Sequence, residues 1–169
     1  MNKSKSNMLN VLKIVGNVLF YTLIVLLLLF SISNLSVKTN KDVANIFGRG
    51  FLPVISDSME GNNSDSFDKG SLVFVKLLSE SQKEELEIGD IVTFYDLNLS
   101  ALNTHRVVYV TPSYIVTQGD KAAASAPYVI GGDNTGVQYE IVTYDNIKAI
   151  RTGDIGGVGS AVSYLQTPT

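Results

Sequence analysis

Two serines bracketing an aspartate, Ser56-Asp57-Ser58, close an apolar run, Phe51-Leu52-Pro53-Val54-Ile55, and give way to Gly61-Asn62-Asn63-Ser64. A strand that stops at a polar turn presents a hydroxyl at a sheet edge, where it can act as a nucleophile. Such a serine needs a group of near-neutral pKa to take its proton and return it to a leaving amine. The chain has one histidine, His105, beside Arg106. On composition alone a lone histidine is more often an ordinary surface residue. Lysine is the other base available to a serine, and Lys69 and Lys76 follow Ser58 closely. One histidine and no cysteine make a metal site an unattractive reading, and nothing points to a cofactor.

The elements that must carry these groups are short. Ser71–Leu77, Ile91–Tyr95, Thr104–Val110 and Tyr114–Gln118 are β-branched or aromatic runs divided by Gly, Asp and Pro. Gln138–Thr143 and Ile147–Thr152 are expected closing strands, Pro127–Ile130 an apolar segment before a Gly-Gly-Asp-Asn turn, and Lys121–Ala126 a small-residue loop. Ser79–Glu87 reads as a short solvated helix or loop. The expected fold is mainly β, an antiparallel sandwich or partial barrel, preceded by one apolar helix.

That helix is the clearest feature of the first 37 residues. Ile14 to Val37 carries no charge and as a helix would extend roughly 36 Å at 1.5 Å per residue, enough to cross a bilayer. Lys3, Lys5 and Lys13 precede it and no acid occurs before Asp42, so the positive-inside rule places the N-terminus in the cytoplasm. A cleavable signal peptide with Ser31 and Ser33 as its small-x-small site is the rival reading. The apolar run continues past those serines, which favours a retained anchor. The expected organisation is a cytoplasmic segment 1–13, an anchor 14–37, a tether 38–50 and an extracytoplasmic domain 51–169. Beyond residue 37, ten Lys/Arg face sixteen Asp/Glu, an acidic balance that argues against nucleic acid as a partner. The absence of cysteine fits a domain that folds without disulfides. The ending Gln166-Thr167-Pro168-Thr169 leaves open a further membrane segment, and the oligomeric state is not legible.

Taken in order, several segments resemble the boxes of type I signal peptidases. Val54–Glu60 resembles the Ser-Met box, and Asp68–Val75 and Ile88–Phe94 the two that follow. Thr104-His105-Arg106-Val107-Val108 stands where the usual bacterial branch has a lysine. Histidine there marks the endoplasmic-reticulum-type branch, also found in archaea and some Gram-positive bacteria. Val116-Thr117-Gln118-Gly119-Asp120 and Ile147–Leu165 are similar to its later segments, so the resemblance covers about residues 10–166. It implies a membrane-bound serine endopeptidase that cleaves signal peptides from exported preproteins. Ser58 would be the nucleophile, His105 the general base and Ser56 a hydroxyl donor to the oxyanion. Partners would be preproteins and the lipid bilayer.

The resemblance breaks at the acid. The branch carries an aspartate six positions after the Gly-Asp aspartate, which here falls on Ala126, before Pro127. Asp120 is the first surviving candidate to support His105 and Asp133 the second. The third reading is a catalytically reduced homologue that binds export or pilus substrates without cutting them. Gly61 stands where the family commonly has proline. A repressor-type self-cleaving Ser–Lys peptidase shares a similar Ser-Met box, but neither an anchor nor a missing DNA-binding helix pair fits it.

Overall fold

The computed structural model describes residues 3–35, 37–39 and 41–166. The first two residues of the expected cytoplasmic segment and the last three of the expected domain lie outside them. Helix α1 (Lys3–Leu35) is the uncharged run extended at its N-terminal end. Its segment Met8–Leu35 is long and apolar enough to cross a membrane, and the rest of the chain covers none of its most apolar window. Its C-terminal end meets the domain: the ring of Phe30 stacks on Phe51 with centroids 6.3 Å apart, and Ser33 is buried.

Among the described residues eight strands form one antiparallel sheet in the order β1-β2-β3-β8-β4-β5-β6-β7. They are β1 (Asn45–Ile46), β2 (Arg49–Pro53), β3 (Leu72–Leu77), β4 (Ile91–Asp96), β5 (Ala101–Val110), β6 (Tyr114–Gln118), β7 (Glu140–Thr143) and β8 (Ile147–Ile155). The mainly β fold with one N-terminal apolar helix is thus as expected. The strands that the sequence assigned to a sandwich or partial barrel belong to one continuous sheet.

The sheet buries both faces. Central β4 is buried at every position, which explains why Ile91-Val92-Thr93-Phe94-Tyr95 lacks the polar alternation of a half-solvated strand. Ile91 joins Val43, Met59, Phe67, Val73, Val75 and Ala149 in one apolar cluster. Val92 and Phe94 join Val107, Ile115, Val142 and Ile147 in another. A register shift opposite Thr93/Phe94 pairs Ala149 with Thr93 but Ile147 with Phe94. That shift lets two β8 residues of the same parity serve opposite faces.

Two local expectations change. From Val43 on, the expected tether packs into the domain: Val43 and Ala44 are buried, and Asn45–Ile46 pairs with Gly50 and Arg49. The small-residue loop is a helix, α3 (Asp120–Ser125), because three consecutive alanines are the best helix formers available. After the apolar segment Pro127–Ile130, Asn134 holds Val129 through its N–H and C=O in the expected turn. The charged stretch after β3 gives the short helix α2 (Glu80–Lys83), and the tail gives α4 (Gly159–Gln166).

Candidate active site

His105 lies within β5 opposite Val92 of β4. Its ring is almost enclosed, edge-on to Phe94 at 6.3 Å. Nδ1 is 2.9 Å from Oε2 of Glu140, and the hydroxyl of Thr117 donates to the same oxygen at 2.9 Å. The pairing explains how a group two strands away reaches the ring. Thr117 of β6 is directly opposite Glu140 of β7, and the next β6-side position on the His105 face is Gly119, which has no side chain to intervene. An ionised carboxylate only accepts hydrogen bonds, so in the neutral imidazole Nδ1 carries the proton and Nε2 the lone pair. Among the described residues nothing hydrogen-bonds Nε2, although it is buried.

Ser58 is half-buried in the turn after β2, its Oγ 3.2 Å from the Oγ of Ser56. The Ser58 carbonyl accepts from the Lys121 N–H at 3.0 Å, tying the turn to the start of α3. Ser58 and His105 line one cleft of about 470 Å³ together with Gly119, Lys121 and Glu140. Ser58 also borders a smaller cavity of about 70 Å³, walled largely by apolar side chains including Leu52, Val54, Met59 and Phe67. The serine therefore separates a small apolar socket from an open cleft that holds the imidazole.

Asp120 is not placed against His105. Its carboxylate accepts from Arg106 Nε and Nη2, both at 2.8 Å, and from the Ser66 hydroxyl at 2.6 Å. Arg106 reaches on to Asp65 at 2.7 and 2.9 Å and to the Gly89 carbonyl. Burial pushes the Asp120 pKa up, but the hydrogen bonds from Arg106 and Ser66 outweigh it and hold it below the usual carboxylate value. The arginine is raised further by Asp120 and Asp65. Asp120 thus clamps the loop 61–67 to α3, which is a structural task. Gly61 fits the same packing: a Cβ there would lie 3.0 Å from Ser66 Oγ and 3.1 Å from the Asp120 Cβ.

Asp133 is exposed and bonded to Thr135, so it does not reach the imidazole either. Ala126 borders the His105 cleft as expected of its position, but offers only its carbonyl, which accepts from Gln118 at 2.8 Å. Lys121 at the mouth of the cleft pairs with Asp57 and Glu60. Lys69 and Lys76 line neither cavity. No group of three or more metal-ligating side chains occurs among the described residues.

Glu140 and Thr117 are what sequence reasoning missed. A signal was present: Glu140 is the only carboxylate inside any of the strands expected from the sequence. A charged residue within a short strand needs a partner or a solvent-facing position, and only the register shows which.

A serine and a buried imidazole thus share one cleft on an antiparallel sheet, behind an apolar N-terminal helix. The chain is similar to Signal peptidase I W of Bacillus subtilis (strain 168), with 29% identity over 133 residues, 76% of this chain and 66% of that protein. This similarity bears out the resemblance to type I signal peptidases of the W kind. The chain spans slightly less than two thirds of that relative's length. No family model matches the chain, and no solved structure does.

Proposed function

We propose that this chain is a membrane-anchored serine endopeptidase that removes signal peptides from exported preproteins, with Ser58 as nucleophile and His105 as base. The observation that carries this reading is the enclosed, unpartnered Nε2 of His105 in the cleft that Ser58 lines. An imidazole lone pair held there can accept the Ser58 proton as Oγ attacks the scissile carbonyl. The new C–O bond gives a tetrahedral oxyanion, to which the Ser58 N–H and the Ser56 hydroxyl donate. His105 then protonates the departing amine as the C–N bond breaks, and water hydrolyses the acyl-serine by the same steps.

Substrate would lie along β2. β1 covers only Arg49 and Gly50 of that strand. Val54 spends its N–H and C=O on Ser71 and Gly70, so by strand alternation the backbone groups of Ile55 face the open side, where an extended peptide can pair. The socket of about 70 Å³ beside Ser58 has room for a small aliphatic side chain and not for a large one, consistent with small residues before the cleavage point. The contact between Phe30 and Phe51 would fix the height of β2, and with it Ser58, above the bilayer. Lys3, Lys5 and Lys13 orient the domain to the outer face.

The test uses the full chain in detergent with a preprotein carrying alanine at −1 and −3. Wild type is expected to release the mature protein and Ser58→Ala to release none. Wild type that binds the preprotein without cutting it would replace this reading with the non-cleaving homologue that Ala126 suggests. Ser56→Ala is expected to lower kcat by about 10²-fold with KM little changed, the usual cost of one oxyanion donor. An equal loss in KM would assign Ser56 to substrate binding instead.

A further inference from the structure

We propose that Glu140 is the positioning residue for His105, so that Ser58, His105 and Glu140 form the triad whose expected acid position is occupied by Ala126. This deepens the peptidase reading and rests on it. The acid has moved from the loop after β6 to the first residue of β7.

Four observations converge. Glu140 Oε2 is the acceptor at Nδ1, at 2.9 Å. Both aspartates that the sequence offers are engaged elsewhere, Asp120 by Arg106 and Ser66, Asp133 by Thr135. The Thr117 hydroxyl donates to the same Oε2 and so holds the carboxylate beside the ring. Nε2, on the far side of the ring, is left without a partner in the Ser58 cleft.

The chemistry follows from the tautomer. With Nδ1–H donated to Glu140, the lone pair sits on Nε2, where the Ser58 proton must go. When the imidazole becomes imidazolium, the adjacent carboxylate stabilises the positive charge, an interaction stronger in the transition state than before it. Glu140 needs no proton of its own. A glutamate is also apt for the new position. It acts from β7, across β6 from His105, and the longer side chain spans the gap that Gly119 leaves open. Register enforces the placement, since a one-residue slip of β7 would turn Glu140 to the opposite face.

Two readouts test this on the full chain in detergent. In the first, Glu140→Gln is expected to lower kcat for the alanine −1/−3 preprotein on the order of 10⁴-fold, as when a triad carboxylate becomes an amide, with KM changed little. Asp133→Asn should cleave like wild type. In the second, the nitrogen NMR spectrum of the chain's single histidine should show the Nδ1–H tautomer in wild type and its loss in Glu140→Gln. Thr117→Val, which removes only the second hydrogen bond to Oε2, should fall between the two in both readouts and serves if Glu140→Gln does not fold. Cleavage by Glu140→Gln at the wild-type rate, or an unchanged tautomer, would overturn the assignment. Wild type that fails to cleave would sink the peptidase reading alone, because the tautomer still reports on Glu140.

Discussion

Replacing Gly119 by alanine is expected to lower cleavage by at least about 10²-fold, the cost of displacing reacting groups by an ångström. The glycine directly follows β6 and adjoins both Ser58 and His105. A Cβ there would lie 2.7 Å from the Ser58 carbonyl oxygen and 3.1 Å from Nε2 of His105. The backbone is ordinary (φ −69°, ψ 140°), so glycine is needed for space and not for torsion. Neither neighbour can yield cheaply. The Ser58 carbonyl is held by the Lys121 N–H, and the ring is held by Glu140 and packed on Phe94. The methyl group would force the serine and imidazole apart, or break one of those bonds. Overpacking of this kind costs about 1–3 kcal/mol of stability, which a sheet buried on both faces should survive. The check is kcat alongside the thermal midpoint. Full activity with an unchanged midpoint would show that the Ser58 turn moves freely, contrary to its tie to α3.

Much of this arrangement is legible in the sequence, and the division has a physical cause. Strands β3, β4 and β6 end within a residue of where apolar and β-branched runs place them, because those runs reflect burial directly. Ser58 and His105 are recognisable by residue type and by the order of the surrounding boxes. What sequence alone does not supply is anything that depends on pairing. The order β3-β8-β4 joins segments distant in the chain, and Glu140 meets His105 only because β5, β6 and β7 align at a particular register. Asp120 misled for a related reason. It follows a Gly-Asp box as an acid should, but the neighbour that decides its role is Arg106, one residue beyond the histidine, on the opposite face of β5 from His105. Strand alternation alone would have separated the two, since adjacent residues in a strand point to opposite faces. Residues 38–50 misled because they are polar on average, and the average hides the buried Val43 and Ala44.

The same alternation sets the second large effect, which falls on stability. Asp120→Ala is expected to cost about 3–5 kcal/mol, the range for removing one partner of a buried ion pair. The Asp120 side chain is 3% exposed and that of Arg106 16%, so the guanidinium would lose its most buried partner and keep only Asp65 and the Gly89 carbonyl. Asp65, at 38% exposed, is too wet to replace what is lost. The pH dependence has a definite sign. Both Asp120 and Asp65 have pKa values below the ordinary one in the folded state. Each therefore contributes stability that is complete above the unfolded value of about 3.9 and is lost as pH falls through the folded one. The gap in thermal midpoint between wild type and Asp120→Ala should be widest near neutral pH, hold down to about pH 5, and narrow below about pH 4. A gap that stays constant into that range would mean that Asp120 holds Arg106 by packing and not by charge. A variant as stable as wild type would return Asp120 to the list of free carboxylates, and with it the claim that this acid could serve His105.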